Sequence, residues 1–479
     1  MPVIAPKPDL SDNHALDTDS YKYSHGTLYP PGTNFMHGYL ESRGGRFPMS
    51  TLATLQYALH RYLVKPFLAE HLEEAREMIP KHGLPFFEEG WKRVRDLHKG
   101  KLPIRIRAIP EGLQVPTGNI LMSITSTDPE FPSLESFLET PMVRLWEGST
   151  IATTSRESKK VLKFYLDETA DNPDAEILFK LHDFGSRGVT CKEQARIAGA
   201  AHLMNFMGTD TIEGLRMANH YYDCDMAGFS IPATEHSTVT SWGREREFEF
   251  VAMFVRKYLV EREVPEGAPK LAACVADTYD VFNFVDQVTK DGLKDLIKSS
   301  GGTFIIRPDS GDPLEVLPKL FEIVEKNLGY EVYVNKKGYR VLPDWLRFIQ
   351  GDGINIDSMT EILKKLTRLK WSASNIAFGS GGGLLQKWDR DTQKWAFKLS
   401  ALRSDFGWAD VRKDPITDPG KRSKAGVLDL IQHEDGTFET VQLEPGEVAH
   451  PKSVMNTVFE NGDILYHTTL DECRERMAL

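Results

Sequence analysis

Between about residues 177 and 383 the chain repeats one pattern: a short apolar run, a cluster rich in Gly and Asp, then a stretch whose apolar positions recur at helical spacing. That alternation predicts βα units. The apolar runs fall at 177–181, 271–275, 303–306, 345–349 and 375–378, with a weaker one at 229–231. Between them, Leu314, Leu317, Phe321, Val324 and Leu328 share one helical face, and Met359, Ile362, Leu363 and Leu366 share another. Asp312, Pro313 and Glu315 supply an N-cap, a first-turn proline and a capping-box acid in the right order.

Strand candidates followed by helices fit a parallel sheet, and repetition of the unit favours a closed α/β barrel over an open doubly wound sheet. The unusual residues sharpen this, because they all fall just after strands: His182-Asp183-Phe184-Gly185, Glu235-His236, Asp277-Thr278-Tyr279-Asp280, Arg307-Pro308-Asp309-Ser310-Gly311, Gly351-Asp352-Gly353 and Gly379-Ser380-Gly381-Gly382-Gly383. One such cluster alone reads as a solvated turn. Recurring in phase, they predict an active-site rim. The flanks read differently: residues 104–109 alternate apolar and basic, 113–125 is β-rich, and the region after Trp388 lacks the βα pattern and is broken by Asp414-Pro415, Pro419-Gly420 and Pro445-Gly446. The expected organisation is a barrel over 151–387 and a mixed α+β domain assembled from 1–150 and 388–479.

Composition adds limits. A chain of 479 residues exceeds the usual reach of one hydrophobic core, in keeping with two domains. No apolar run approaches membrane-spanning length, and the first 19 residues hold no basic stretch followed by an apolar one, so neither a membrane span nor a secretory leader is expected and a cytoplasmic location is. Cys191, Cys224, Cys274 and Cys473 are scattered, against a zinc site or a disulfide framework. A net charge of −11 argues against nucleic-acid partners but leaves room for a small phosphorylated ligand in a basic cleft.

The glycines at 379 and 381–383 allow backbone N–H groups to approach an anion, which suggests a phosphate site, against the plainer alternative of a flexible turn needing positive φ. Arg307 and Asp309 are either a structural ion pair or a grip on pyrophosphate shared with Mg²⁺, a cation that binds through few carboxylates plus substrate phosphates. Asp352 lies on the same rim, and Arg390, Lys398, Lys413, Lys421 and Arg422 could add phosphate contacts. His236, on its position alone, reads as a buried strand-end histidine.

The motifs 17–22 (Asp-Thr-Asp-Ser-Tyr-Lys), 180–185 with Arg187-Gly188, Gly208-Thr209-Asp210-Thr211, 235–238, 306–311, 350–353, 376–387 and 421–424 resemble those of the nicotinamide phosphoribosyltransferase family, in order from about residue 16 to the C-terminus. The resemblance implies the atypical α/β barrel of type II phosphoribosyltransferases with an added domain. It also implies a homodimer with active sites at the subunit interface. By position, Phe184 and a second copy's Tyr21 would sandwich the pyridine ring, with Asp19 and Arg187 beside it. Arg307, Asp309, Gly351 and Asp352 would border the phosphoribosyl group. Arg43, Gly381, Gly382, Arg390, Lys398 and Lys413 would hold phosphates. His236 would be transiently phosphorylated by ATP as co-substrate, with Mg²⁺ as cofactor, and His236, Arg307 and Asp309 would form the catalytic set.

Asp210 would separate nicotinamide from nicotinate. A carboxylate accepts a hydrogen bond from the amide but repels the acid; two like charges at ~4 Å and an effective dielectric of ~20 cost about 4 kcal/mol. Its plainer alternative is a helix N-cap, with Glu213 three residues on. No serine elbow or similar nucleophile–base pair is evident, and none is needed if the pyridine nitrogen is itself the nucleophile. Two departures stand out: Ser186 where the family leads one to expect an aromatic, and Ala276 where a serine is common. Nicotinate phosphoribosyltransferase is the nearest rival reading, and a non-catalytic barrel sensing a phosphorylated ligand is a rival of another class.

Overall fold

The computed structural model describes residues 12–417 and 422–479; the first eleven residues and Lys421 lie outside them. The chain divides into two compact units. One comprises residues up to Thr153, Tyr221–Asp223 and Asp389–Met477; the other comprises Thr154–His220, Cys224–Trp388 and Ala478–Leu479.

The second unit carries the parallel sheet. Its strands lie in the order Gly208–Thr209, Leu181–Asp183, Ile376–Ser380, Leu346–Gln350, Thr303–Arg307, Leu271–Val275, and every pairing is parallel. The two edges meet through an extended segment: Phe229 bridges Gly208, and Ala233 bridges Ala273. Ladder bonds run on both sides of it, from Thr209 N to Phe229 O (3.0 Å) and from Ala273 N to Pro232 O (2.9 Å). Closure is therefore achieved by bridges alone. Pro232 has no N–H to donate, which keeps this segment from becoming a full strand. The weak apolar run at 229–231 marks this closing piece.

The helices form as their apolar faces require. In Pro313–Leu328 the carboxylate of Asp312 caps Leu314 N at 2.9 Å, and Leu317, Phe321, Val324 and Leu328 are buried. Ile356–Arg368 buries Met359, Ile362, Leu363 and Leu366 and is capped by Asn355. Each such side chain contributes about 1.5–3 kcal/mol by leaving water, and all join one continuous core with Phe304, Ile306, Phe348 and Phe378 of the sheet.

Two expectations need correction. The run at 177–181 is not a strand: Ile177–Phe179 is a 3₁₀ turn following the helical turn Pro173–Glu176, and the strand is Leu181–Asp183. Pro173 at the helix start and the buried Lys180, whose Nζ reaches the carbonyls of Ala373 and Ser374 at 3.1 and 3.0 Å, move the start of the strand from 177 to 181. Gly208–Thr209 was not anticipated, being too short to leave a period.

The first unit is built on an antiparallel seven-stranded sheet in the order Gly407–Asp410, Trp395–Ser404, Phe35–Ser42, Ile120–Ser126, Ile104–Ala108, Asn456–Glu460, Asp463–Ile464. Strands from the two ends of the chain interleave: Phe35–Ser42 pairs with Trp395–Ser404, and Ile104–Ala108 with Asn456–Glu460. With the helices packed on it, this is the mixed α+β region. Within the alternating strand at 104–108, Arg107 is buried and paired with the buried Asp429 at 2.9 Å. The four cysteines are free, and among the described residues no helix is long and apolar enough to cross a membrane.

Candidate active site

The C-terminal ends of the parallel strands gather the residues singled out above from the barrel. Phe184 follows Leu181–Asp183 and is tethered by its N–H to Ser380 O at 2.9 Å. Its ring lies against glycine backbone. A Cβ on Gly379 would sit 1.9 Å from the ring, and one on Gly351 would sit 3.9 Å from it and 3.3 Å from Asp309 Oδ1. Any side chain at 379 would fill the space Phe184 occupies. Phe184, Gly351, Asp309 and Arg307 therefore share one neighbourhood.

Beside Phe184, Asp183 is fully buried. Its Oδ1 accepts from Gly185 N at 2.7 Å and its Oδ2 from Thr209 Oγ1 at 3.4 Å. Burial pushes its carboxyl up to about 6, although these bonds pull the other way. Asp210 hangs from the same point, its N–H donating to Asp183 O at 2.9 Å. Its exposed carboxylate accepts from the Ser230 hydroxyl. The helix after it begins at Ile212, and Glu213 is engaged by Arg196 and Arg216 at 2.6 and 2.7 Å, so the anticipated capping box does not form. Asp210 is left facing outward.

On the other side of the rim, His236 opens the short helix His236–Thr240 and is 47% exposed, so the buried strand-end reading does not hold. Its Nε2 faces Asp309 Oδ2 at 3.6 Å and Asp277 Oδ1 at 3.7 Å, while Nδ1 lies 3.2 Å from Thr278 Oγ1. Arg307 Nη2 is 3.8 Å from Asp309 Oδ2, too far for a hydrogen bond. Asp277 Oδ1 and Arg307 Nε are buried with no hydrogen-bond partner among the described residues. Native proteins seldom leave such groups unpaired, since each costs about 1–3 kcal/mol. Both atoms lie beside His236 and Asp309, where a ligand could supply the missing hydrogen bonds.

Gly381, Gly382 and Gly383 do not form a positive-φ turn; Gly381 has φ −96° and precedes the helical turn Gly382–Leu385. A Cβ on Gly381 would lie 3.5 Å from Phe184 O, and one on Gly188 would lie 3.3 Å from Gly382 Cα. The 185–188 loop thus lies against the glycine turn. Arg187 on the 185–188 loop and Asp352, just after the strand Leu346–Gln350, are exposed.

Tyr21, Asp19, Arg43, Arg390, Lys398 and Lys413 belong to the other unit. There Tyr21 is 54% exposed and buttressed edge-on by His25 at 4.8 Å. Asp19 is pinned to Thr140, which it accepts from at 2.8 Å. Arg43 donates from Nε to Glu41 at 2.7 Å and keeps a buried, unpaired Nη2. Burial lowers the Lys398 ammonium, and Arg43, Lys22 and Arg390 lower it further by repulsion. Arg390 pairs with Asp391 at 3.2 Å, and Lys413 is exposed. Asp183, Asp277 and Ser230 are missing from the sequence-based set of site residues. Asp277 stood within a rim cluster and so was detectable; Ser230 lies in the irregular closing segment, where no period points to it.

The nicotinate phosphoribosyltransferase (NAPRTase) family matches residues 179–463, and the N-terminal domain of nicotinamide phosphoribosyltransferase matches residues 13–106. A nicotinamide phosphoribosyltransferase of Xanthomonas campestris pv. campestris is 44% identical over 97% of both chains. The chain belongs to the nicotinamide phosphoribosyltransferases. Membership makes it an enzyme of the pentosyltransferase class. The nicotinamide phosphoribosyltransferase of Mycoplasma pneumoniae is 32% identical over 88% of this chain and 96% of its own. Among solved structures, a nicotinate-nucleotide pyrophosphorylase from Pyrococcus furiosus aligns with a TM-score of 0.62 at 15% identity, covering 99% of this chain and 97% of the other. Human nicotinic acid phosphoribosyltransferase aligns at 0.52 and 16%, covering 96% and 92%. At those identities the likeness concerns the fold, the type II phosphoribosyltransferase barrel with its added domain.

Proposed function

We propose that this enzyme joins nicotinamide to 5-phosphoribosyl 1-pyrophosphate, giving nicotinamide mononucleotide and pyrophosphate, a step of NAD salvage. The observation that carries the reading is the pairing on one rim of an aromatic wall, Phe184, with the unpaired Arg307 and Asp277 around Asp309 and His236. In the reaction the pyridine nitrogen donates its electron pair to the ribosyl C1. The bond from C1 to the pyrophosphate oxygen breaks, and that oxygen leaves with the bonding pair. No proton need move, so the chain needs no general base. It needs fixed charge and alignment. Arg307 meets the negative charge gathering on the leaving group, Asp309 lies against the ribosyl end, and Phe184 holds the ring. Asp210 accepts from the amide of nicotinamide and repels the carboxylate of nicotinate.

No group of three or more His, Cys, Asp or Glu among the described residues is arranged to hold a metal by itself. The unpaired buried Asp277 Oδ1 near Asp309 fits a Mg²⁺ held by one or two carboxylates and otherwise by substrate phosphates. Bound there, the cation would neutralise pyrophosphate charge. His236, half exposed and faced by two carboxylates, is proposed to take a phosphoryl group from ATP, coupling hydrolysis to synthesis. Tyr21, exposed and backed edge-on by His25, is proposed to close the pyridine site from a second copy of the chain, with Asp19 beside it. Arg43, Arg390, Lys398 and Lys413 are proposed phosphate contacts.

The test is product formation from nicotinamide and from nicotinate, each with phosphoribosyl pyrophosphate and Mg²⁺, with and without ATP. Nicotinamide is expected to be turned over far more efficiently, with ATP stimulating. Equal or better use of nicotinate would overturn the substrate assignment. Tight binding without turnover would favour a sensor. His236→Ala should lose ATP stimulation and keep basal synthesis; unchanged stimulation would remove the phosphohistidine role.

A further inference from the structure

Asp183 poses a question that the reaction leaves open. It ends a barrel strand, a position where burial favours an apolar or neutral side chain, yet it carries a carboxylate with no exposure. No cation is within ion-pair distance of it among the described residues. Its oxygens are instead held by Gly185 N–H at 2.7 Å and the Thr209 hydroxyl at 3.4 Å. The packing leaves room for it: helices Lys192–Leu203 and Ile212–Tyr221 touch through glycines, a Cβ on Gly199 falling 2.9 Å from Gly214 Cα and 3.5 Å from Asp183 Oδ2.

The bonds radiating from this residue run to the peptides beside Phe184 and Asp210 and to the Thr209 hydroxyl. Toward one strand end, Oδ1 fixes the peptide after Phe184 through Gly185 N–H, while Phe184 N–H is fixed to Ser380 O at 2.9 Å. Toward the adjacent strand end, which pairs in register at Asp183 and Thr209, the backbone carbonyl of Asp183 accepts from Asp210 N at 2.9 Å. Thr209 Oγ1, donating to Asp183, accepts in turn from Thr211 N at 3.0 Å. Both peptide groups flanking Asp210 therefore hang from Asp183 or from the threonine it holds. We propose that Asp183 is a positioning residue that fixes the spacing between Phe184 and Asp210 and so sets the preference for a pyridine amide over a pyridine acid. This rests on the nicotinamide reading above. Misplacing a reacting partner by ~1 Å can cost about a hundredfold, so one anchor shared by the stacking ring and the amide acceptor has large leverage.

The test compares wild type, Asp183→Asn, Asp183→Ala and Thr209→Val for kcat and KM with each pyridine and with phosphoribosyl pyrophosphate. Asp183→Ala is expected to raise KM for nicotinamide about tenfold and to narrow the nicotinamide-to-nicotinate ratio of kcat/KM about tenfold, with KM for phosphoribosyl pyrophosphate nearly unchanged. Asp183→Asn, which keeps an acceptor for Gly185 N–H, should restore most of the loss, and Thr209→Val should show a smaller change in the same direction. An Asp183→Ala protein that loses kcat alone, or raises both KM values equally with the ratio intact, overturns the inference. If that variant does not fold, an unchanged ratio in Thr209→Val overturns it. Wild type without preference for nicotinamide fails the substrate reading itself; wild-type preference that survives in the variants fails only this inference.

Discussion

Around Asp183 and Asp210, a carbonyl, two carboxylates and the Thr209 and Ser230 hydroxyls are paired within the barrel unit, although the buried Thr211 Oγ1 has no hydrogen-bond partner among the described residues. Around His236, the nearest charged atoms stand 3.6–3.8 Å apart, and two buried ones, Asp277 Oδ1 and Arg307 Nε, have no hydrogen-bond partner among the described residues. On the proposed assignment, the contrast follows from what each side would bind. A neutral ring gains little from charge and much from shape, so its side would be arranged before the ligand arrives. A pyrophosphate supplies many acceptors, so its side keeps donors uncommitted and tolerates a desolvation cost that the ligand relieves.

The largest test of that contrast is Arg307→Ala. With the uncommitted guanidinium gone, kcat should fall about 10²–10³-fold, the range seen when one preorganised charge-stabilising donor is deleted. Stability should hardly drop, because Arg307 forms no hydrogen bond through Nε in the free protein. A fall of less than a few-fold in kcat, or a large loss of thermal stability, would place Arg307 among structural ion pairs and erase the difference between the two sides.

The next effect is on stability, and it belongs to the satisfied side. The folded Asp183 carboxyl, raised by burial, releases its proton near about 6 rather than 3.8. Between those values the folded state binds more protons than the unfolded one, so this group's contribution falls as pH rises through that window and stays lost above it. At about 1.4 kcal/mol per unit the loss is on the order of 2–3 kcal/mol. Denaturant titrations of wild type and Asp183→Asn at pH 4 and pH 7.5 should show the wild type losing that much more stability. Parallel curves would mean that Asp183 is not desolvated as its burial indicates.

Much of this was readable beforehand, for identifiable reasons. The strands at 271–275 and 303–307 and the helix after Asp312 announce themselves through period and cap, because local and global preferences agree there. Clusters placed after strands located Phe184, His236, Arg307, Asp309, Asp352 and the glycine turn. What stayed hidden was set by tertiary geometry. The closing segment has no period because Pro232 interrupts its ladder, and Ser230 within it carries no mark of its contact with Asp210. The glycine run looks alike as a floppy turn or as the start of a helix, and only the close approach of the 185–188 loop decides. Asp183 stands inside the 180–185 motif, but nothing in a linear sequence says that its carboxylate faces Thr209.

Phe184→Leu should have a smaller effect, keeping the apolar volume against Gly379 while losing the aromatic face. Aromatic stacking contributes about 0.5–1.5 kcal/mol beyond area, so KM for nicotinamide should rise about two- to tenfold with kcat within a few-fold. Titration of phosphoribosyl pyrophosphate at saturating nicotinamide supplies the control, since its KM should not move. If that KM rose as much, the ring and phosphate sides, which share one rim, would not act independently in binding.

The smallest effect expected is that of Ser230→Ala, and it probes whether internal bonds truly preorganise the ring side. Ser230 donates to Asp210 Oδ1 from the closing segment. Because Asp210 is exposed, water can replace the lost hydroxyl, so no buried charge is stranded and only about 0.5–1 kcal/mol of orientation is at stake. KM for nicotinamide should rise about two- to fivefold, kcat should hold, and discrimination against nicotinate should weaken slightly, because a carboxylate free to rotate both accepts less well from the amide and repels the acid from a greater mean distance. A fall in KM would carry the opposite meaning: the hydroxyl would be competing with substrate for Asp210, and the ring side, like the phosphate side, would gain its partner only when the ligand arrives.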